Sequence, residues 1–250
     1  AGAVVQVFGK PHVPLTRENL GEGGFAKLEK RLSIRAGQVE TFMNMEDCYR
    51  FRTPLVKSVR AFGRYLEELA KDYARTGVGY AELSISDVLK PDWLAEAHRV
   101  LPRIEKDTGV KIRFLAAVWR HSDPVYNGDL VAKIQALAAS PYIVGVDFMG
   151  HETNSTRAFS DVIKQLAEYK QSINPAFVIR VHAGENPLFP ENVREAINAG
   201  ATRIGHGLYG MDAQTLSAAR EKGVIVEFNL NSNLALNNIG GPKDVPIKAY

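Results

Sequence analysis

The feature that most constrains the fold is a regular alternation of short apolar runs with longer amphipathic segments, which begins near residue 53. Six of the apolar runs have the length and continuous apolar character of strands buried on both faces. These runs occupy residues 79–84, 112–119, 142–148, 177–182, 202–206 and 224–230. Alternation of this kind predicts a parallel sheet, either an open doubly wound sheet or a closed barrel.

The segments between the runs have the apolar spacing of three and four that is typical of helices. The first follows Thr53-Pro54, a pair that favours a helix start, and ends at Gly77. Further helices are predicted over residues 92–106, with a kink at Pro102, and over 129–139, 155–173, 191–199 and 212–222. No G-x-G-x-x-G motif follows the first run, which argues against a dinucleotide-binding open sheet.

Two regions can be separated along the chain. Residues 53–250 show no internal repeat or linker and predict one α/β domain, whereas residues 1–52 form an N-terminal segment without the alternation. Within that segment we predict a strand at residues 4–8, a glycine-rich loop at 19–24 and a helix or lid at 38–51.

Composition excludes several classes of protein. The net charge is +3 and no run of five like charges occurs, so the sequence does not favour nucleic-acid binding. The lone Cys48 cannot form an internal disulfide bond, and no apolar stretch reaches the length of about 20 residues that spans a membrane. We therefore expect a cytoplasmic protein without a membrane partner, and the sequence leaves open a homo-oligomer or a larger assembly.

Polar residues fall at or near the ends of the predicted strands. The carboxyl ends of parallel strands meet at one edge of a sheet or one mouth of a barrel, where α/β enzymes carry their active sites. The polar residues near these strands are Glu82, Asp147, Glu152, His182, Glu185, His206, Glu227, Asn229 and Asn231. We expect those at the strand ends to converge on one site.

The residue types at this mouth suit hydrolytic chemistry. Neutral imidazole is a good zinc ligand, and a carboxylate that is shielded from water can hold a proton near neutral pH. His182, Glu185 and His206 are the candidates, and the glycines beside them would let a substrate approach the backbone. Glu82 is predicted to be structural and paired inside the barrel, while Asp147 is open between a substrate contact and an internal salt bridge.

Three motifs carry a resemblance to a known family. H-A-G-E at residues 182–185 and R-I-G-H-G at 203–207 follow apolar strands, and G-V-D-F-M-G-H-E spans residues 145–152. This combination resembles the adenosine deaminase family over roughly residues 53–250. The resemblance implies a TIM-type (β/α)8 barrel, of which strands 2 to 7 are recognisable in this chain.

The resemblance also implies a reaction and roles for these residues. The expected reaction is a zinc-dependent hydrolytic deamination of an adenine nucleoside or nucleotide to the inosine-type product and ammonia. His182 would be a ligand of Zn2+, Glu185 would protonate the purine ring, and His206 would orient and help to deprotonate the attacking water.

The predicted substrate-binding residues are three: Gly150, Asp147 and Gly184. Of these, Gly150 would offer its backbone N–H to the purine. The H-A-G-E form favours the nucleoside branch of the family, because a cysteine usually precedes the glycine in the AMP branch. The N-L-N-S-N segment at residues 229–233 keeps the Ser-Asn pair of the family but not the Cys-Pro that commonly precedes it.

The chain departs from the family at its metal ligands. Residues 4–8 lack the H-x-H of the family's first strand, and the sequence stops at Tyr250 before an aspartate of the last strand. A catalytic zinc takes three protein ligands or more. We expect the remaining ligands to lie outside the 250 residues. The alternative is a metal-free barrel that serves as a scaffold or a nucleoside-binding sensor. A hydrolase of cyclic amides is disfavoured by the H-A-G-E glutamate.

Overall fold

The strands form two sheets. The computed structural model describes residues 58–120 and 128–250, together with short pieces between residues 4 and 27. In the N-terminal pieces, β1 (Val4–Val5) pairs antiparallel with β2 (Val13–Pro14). The main sheet contains β3 (Tyr80–Ile85), β4 (Lys111–Trp119), β5 (Ile143–Met149), β6 (Val178–Ala183), β7 (Arg203–His206) and β8 (Ile225–Glu227).

The main sheet has the predicted parallel topology. Its order is β3-β4-β5-β6-β7-β8, and each neighbouring pair is parallel. The helices between and around the strands are α1 (Val59–Arg75), α2 (Pro91–Thr108), α3 (Gly128–Leu137), α4 (Ser160–Ser172), α5 (Glu191–Ala199), α6 (Ala213–Glu221) and α7 (Leu230–Ala235). Consecutive strands are therefore neighbours, joined by crossovers that include a helix, as the alternation predicts.

Ion pairs across the sheet show that it curls into a half-barrel. Arg203 Nη1 on β7 lies 2.6 Å from Glu82 Oε2 on β3. Three strands separate β3 from β7, so these side chains meet only if the inner face is concave. The barrel alternative is thereby confirmed over the open sheet. The ion pair also confirms that Glu82 is a paired residue inside the barrel.

Side chains alternate across β6 in a way that separates core from site. Ile179 and Val181 are fully buried in the apolar core between the sheet and helices such as α4 and α5. Arg180 and His182 alternate with them and lie on the concave face, where both contact Asp147. Period-two alternation thus directs polar side chains into the barrel while the opposite face holds the helices.

Several predicted boundaries are wrong. The last strand ends at Glu227 rather than at residue 230, because Leu230 already begins α7. The first helix begins at Val59, and its N-cap is Ser58, whose Oγ accepts a hydrogen bond from the Ala61 N–H. Thr53 itself lies outside the described residues. The helix predicted over 155–173 is a 3₁₀ turn, Thr156–Phe159, followed by α4.

Other predictions fall partly or wholly outside the described part of the chain. Among residues 4–8, Val4–Val5 forms a short strand, while residues 6–8 and the lid predicted at 38–51 lie outside the described residues. The loop predicted at 19–24 is wrong where it is described, because residues 21–24 are helical. Of the helices that are described, none combines the length and apolar character needed to cross a bilayer.

Candidate active site

His182 and Asp147 form a buried pair at the mouth of the half-barrel. His182 precedes the last residue of β6, and its Nδ1 lies 2.9 Å from Asp147 Oδ1 on the neighbouring β5. A histidine that donates its Nδ1–H to a carboxylate has the lone pair of Nε2 free to bind a metal. The pair therefore has the orientation of a metal-binding histidine and its supporting carboxylate.

Asp147 has contacts on both of its carboxylate oxygens. Its Oδ2 accepts a hydrogen bond from Ser84 Oγ at 2.5 Å and pairs with Arg180 Nη1 at 3.2 Å. Burial alone would raise the pKa of Asp147, but His182, Arg180 and Ser84 outweigh it and hold that pKa below its ordinary value. The side chain is fully buried. Of the two alternatives, the internal salt bridge is thus observed, and the carboxylate has no free oxygen to offer a substrate.

Glu185 follows β6 and carries an oxygen without a partner. Glu185 Oε1 is buried and accepts no hydrogen bond from the described residues, and His206 Nε2 lies 3.5 Å from it. Burial raises the pKa of Glu185 to about 7, with His182 and a hydrogen bond from Ser232 acting against the rise and Glu152 adding to it. An unpartnered polar atom in a buried position is costly, so this oxygen has the position expected of a ligand contact.

His206 ends β7 in a conformation that is rare for a residue with a side chain. Its φ is +78°, and its Nδ1 lies 2.9 Å from Asn233 Oδ1 in α7. An amide oxygen can only accept, so Nδ1 carries the hydrogen and the lone pair of Nε2 faces Glu185. Burial, with a smaller contribution from the neighbouring His182, lowers the pKa of His206 to about 3. The imidazole is therefore neutral at physiological pH.

The three residues that the sequence singles out are close together. The ring centroids of His182 and His206 are 5.4 Å apart, and Glu185 lies beside His206. These distances bring His182, Glu185 and His206 together as the sequence predicts, while the roles predicted for them stay predictions. They come from the ends of the adjacent strands β6 and β7.

Glycines form the backbone around these residues. Gly150 follows β5 with a φ of +113°, and a Cβ on it would lie 3.4 Å from the backbone nitrogen of Arg120. Gly184 has a φ of +77°, and a Cβ on it would lie 2.4 Å from the Tyr209 carbonyl oxygen and 2.8 Å from Val193 Cγ2. Gly184 thus needs both a left-handed backbone and the absence of a side chain.

Gly184→Ala is expected to destabilise the protein by about 1–3 kcal/mol or more, because strained backbone and steric overlap add together. The matched control is Gly223→Ala, since Gly223 also has a positive φ, +64°, but has no atom within 4 Å of the added Cβ. Thermal or urea unfolding measures both changes. An equal loss of stability in the two variants would show that steric overlap at Gly184 contributes nothing.

The described residues do not form a complete metal site by themselves. Over residues 58–120 and 128–250, no group of three or more His, Cys, Asp or Glu side chains is arranged to hold a metal ion. His182 fits one ligand position, because Asp147 occupies its Nδ1 and Nε2 remains. A complete catalytic zinc site would need at least two further protein ligands from elsewhere.

A family comparison decides the relationship of the chain. The model of the family described as adenosine deaminase matches residues 26–250. The chain belongs to the adenosine deaminase family. The match begins well before residue 53, where the resemblance read from the motifs began. The family region therefore includes part of the N-terminal segment, residues 1–52.

Relatives of this adenosine deaminase family member include curated enzymes. The chain is 26% identical over 242 residues to an adenosine deaminase of Clostridium perfringens, with 90% of this chain and 68% of the relative covered. For a second strain of that species the covered share of the relative is 66%. The chain therefore spans about two thirds of the length of these relatives.

Solved structures share the fold at low identity. An adenine deaminase from Arthrobacter aurescens has a TM-score of 0.69 at 19% identity, over 92% of this chain and 69% of that one. Arabidopsis ADAL complexed with IMP has a TM-score of 0.66 at 19% identity, over 90% and 68%. An amidohydrolase from Burkholderia ambifaria with bound Zn has a TM-score of 0.61 at 20% identity, over 74% and 53%. These neighbours confirm the TIM-type barrel.

Several residues of the site were missed or given no role by sequence reasoning. Arg120 is buried directly after β4 and donates a hydrogen bond to the carbonyl oxygen of His182. Asn233 orients His206, and Ser232 contacts Glu185. Arg120 sits at a strand end like the predicted residues, so its position alone could have drawn attention to it.

Proposed function

We propose that the protein is a metal-dependent hydrolytic deaminase that converts an adenine nucleoside or nucleotide to the inosine-type product and ammonia. The observation that carries the proposal is the unpartnered carboxyl oxygen of Glu185 beside a neutral His206 in a buried site. Family membership supports the same class of aminohydrolase reaction. The scaffold alternative has no comparable observation in its favour.

Glu185 is the proposed proton donor. With a pKa raised to about 7 by burial, a large share of the side chain is protonated at neutral pH. A protonated carboxyl can deliver its proton to a ring nitrogen of the purine while water attacks the neighbouring carbon. The electrons of the C=N bond then move to that nitrogen, and the carbon becomes tetrahedral.

His206 is the proposed proton acceptor for the attacking water. Its neutral ring presents the Nε2 lone pair toward the site, and Asn233 fixes the orientation of the ring through Nδ1. The proton taken from water can then pass to the leaving amino group, which departs as ammonia when the C–N bond breaks. The remaining hydroxyl proton returns to the Glu185 carboxylate as the C=O bond of the product forms. This assignment needs a neutral imidazole, which the lowered pKa of His206 provides.

His182 is the proposed zinc ligand among the described residues, through Nε2, with Asp147 as its hydrogen-bonded support. A bound zinc ion would lower the pKa of water to about 7 and so supply hydroxide at neutral pH. The other ligands would come from parts of the protein beyond the described residues. The Zn found in the Burkholderia amidohydrolase supports this metal.

The proposed substrate-binding residues are Gly150 and Gly184, with Asp147 contributing through His182. Gly150 follows β5 and has no side chain to obstruct its backbone N–H. Both nucleoside and nucleotide substrates remain within the proposal, since curated relatives are adenosine deaminases and the Arabidopsis ADAL structure contains IMP.

The proposed function is tested by incubating the intact protein with zinc and, separately, adenine, adenosine or AMP. We expect ammonia release with at least one of them, and about one zinc per chain by metal analysis. Full zinc occupancy without product from any adenine compound would contradict the deaminase assignment. Absence of bound zinc and of activity would favour the scaffold.

The pH dependence of kcat/KM follows from the same groups. Because protonated Glu185 is required, kcat/KM should fall about tenfold per pH unit as pH rises above about 7. His206 stays neutral down to a pH of about 3, so its protonation should not lower the rate between pH 7 and 5. A pH–rate profile measures this. A rate that climbs from pH 7 to pH 9 would rule out Glu185 as the acid.

A further inference from the structure

A second buried glutamate contacts the turn that carries Glu185. Glu152 lies in the loop after β5 and is 3% exposed. Its Oε1 accepts a hydrogen bond from the Gly184 N–H at 2.6 Å, and its Oε2 accepts one from the Asn186 N–H at 2.7 Å. The Glu185 N–H also points to this carboxylate. Three consecutive backbone donors therefore converge on one side chain.

The arrangement is a backbone nest occupied by an internal anion. Successive N–H groups converge in this way when the chain passes through a left-handed residue, here Gly184 with its φ of +77°. Such nests commonly bind phosphate or other anions. In this protein the Glu152 carboxylate fills the nest, so the backbone on both sides of Glu185 is held by a side chain of the same protein.

Arg120 fixes the other end of the same turn. Its guanidinium donates to the His182 carbonyl oxygen and, at 3.0 Å, to Thr156 Oγ1. Burial raises the pKa of Glu152, and the N–H groups of residues 184–186 and the charge of Arg120 act against that rise. Asn192 ties the two together, because it donates to the Glu152 carbonyl oxygen at 3.0 Å and accepts from the Thr156 N–H at 2.8 Å.

The proposed reaction uses neither Glu152 nor Arg120 as a reacting group. Both oxygens of Glu152 already accept backbone hydrogen bonds, so the carboxylate has no direct task at the substrate. The burial of two charged side chains is weak evidence for a stabilising role, because hydrophobic residues of similar volume often stabilise equally well. A role in orienting the active-site turn accounts for both residues more directly.

We propose that Glu152 is a positioning residue, whose carboxylate holds residues 184–186 and thereby aims the Glu185 carboxyl at the substrate. The inference rests on the proposed deaminase function. A misplacement of about 1 Å at a reacting group can cost about 100-fold in rate. The charge of Glu152 also helps Glu185 to keep its proton, since it adds to the raised pKa of Glu185.

A double-mutant cycle between Glu152→Gln and Glu185→Gln tests the proposal. In the otherwise unchanged protein, Glu152→Gln should lower kcat about 10- to 100-fold, because an amide cannot accept on both sides of the nest. In the Glu185→Gln background it should change the residual rate less than about threefold, because two residues that act through one step are not additive.

The matched control is Glu195→Gln. The Glu195 carboxylate also accepts a backbone hydrogen bond, from the Arg157 N–H at 3.0 Å, and it contacts Ser155 rather than the active-site turn. It should leave kcat unchanged in both backgrounds. An equal loss of rate from Glu152→Gln with and without Glu185 would overturn the positioning role.

Amide hydrogen exchange tests the same geometry without any need for turnover. In the intact wild-type protein the N–H groups of residues 184–186 should be protected, and Glu152→Gln should remove that protection while residues 178–181 of β6 keep theirs. Rapid exchange at 184–186 in the wild type would overturn the inference. If the wild-type protein showed protected amides at residues 184–186 but no deamination, the result would contradict the proposed function and would leave the nest supported.

Glu152→Asp is the second variant to use if the Glu152→Gln protein fails to fold. It keeps the charge opposite Arg120 but withdraws the carboxylate from the nest by one methylene group. It should show the same dependence on Glu185 in the cycle. Loss of the folded circular dichroism spectrum in both Glu152 variants would make the residue a folding requirement and overturn the positioning role.

Discussion

Glu185→Gln is expected to lower kcat by about 10²- to 10⁴-fold, the range associated with loss of a general acid. The amide matches the carboxyl in size but cannot deliver a proton, and it also ends the dependence of the rate on a group with a pKa of about 7. Steady-state ammonia release gives the change in kcat. Zinc content should remain that of the wild type, because Glu185 is not a proposed ligand.

Glu195→Gln is the control for this change as well, since it replaces a carboxylate by an amide outside the site. Its kcat and zinc content should match those of the unaltered protein. If Glu185→Gln retained at least half of the wild-type kcat at neutral pH, the proton would have to come from another group. Loss of zinc from the variant would show that the residue supports the metal instead.

Asp147→Asn is expected to weaken zinc binding about 10- to 100-fold, the usual cost of losing a carboxylate that supports a metal-binding histidine. It should also destabilise the fold by up to about 3–5 kcal/mol, because one partner of a buried ion pair is removed. In the variant Arg180 keeps its contact with Glu227, in which Arg180 Nε lies 2.7 Å from Glu227 Oε2. We therefore expect a destabilisation in the lower part of that range. Zinc titration and chemical denaturation measure the two effects.

The control for Asp147→Asn is Asp161→Asn, an exposed aspartate paired with Lys164 at the start of α4. An exposed pair contributes about 0–1 kcal/mol, so its loss should be barely measurable. If Asp147→Asn left the zinc affinity unchanged, Asp147 would have no part in metal binding.

The direction in which the contribution of Asp147 to stability changes with pH also follows from its pKa. Since the folded pKa of Asp147 lies below its ordinary value of 3.8, its stabilisation is present above that value and is lost as pH falls through the folded pKa.

The sequence predicts the strands of the main sheet well, because their burial constrains their composition. Strands buried on both faces must be continuously apolar, and such runs identify all six strands of the main sheet. Residues 182, 185 and 206 could be placed at one mouth because parallel strands end at the same edge. No side-chain contact was needed for that prediction.

The features that the sequence does not predict depend on residues far apart in the chain. Asp147 could not be assigned because its partners Ser84, Arg180 and His182 come from other strands. His206 has a left-handed backbone, and its ring is oriented by Asn233, which is 27 residues away. Local propensity would not place a histidine in that conformation.

The opposed pKa values of Glu185 and His206 have a consequence for folding itself. Between pH values of about 4.5 and 6.5, the unfolded chain carries one proton on this pair, on the histidine. The folded chain also carries one, but on the glutamate. Folding therefore transfers a proton from base to acid with no net uptake, and the two contributions to the pH dependence of stability cancel in this window. The folded protein therefore already has Glu185 protonated as the proton donor and His206 unprotonated as the proton acceptor, which is the state that one turnover requires.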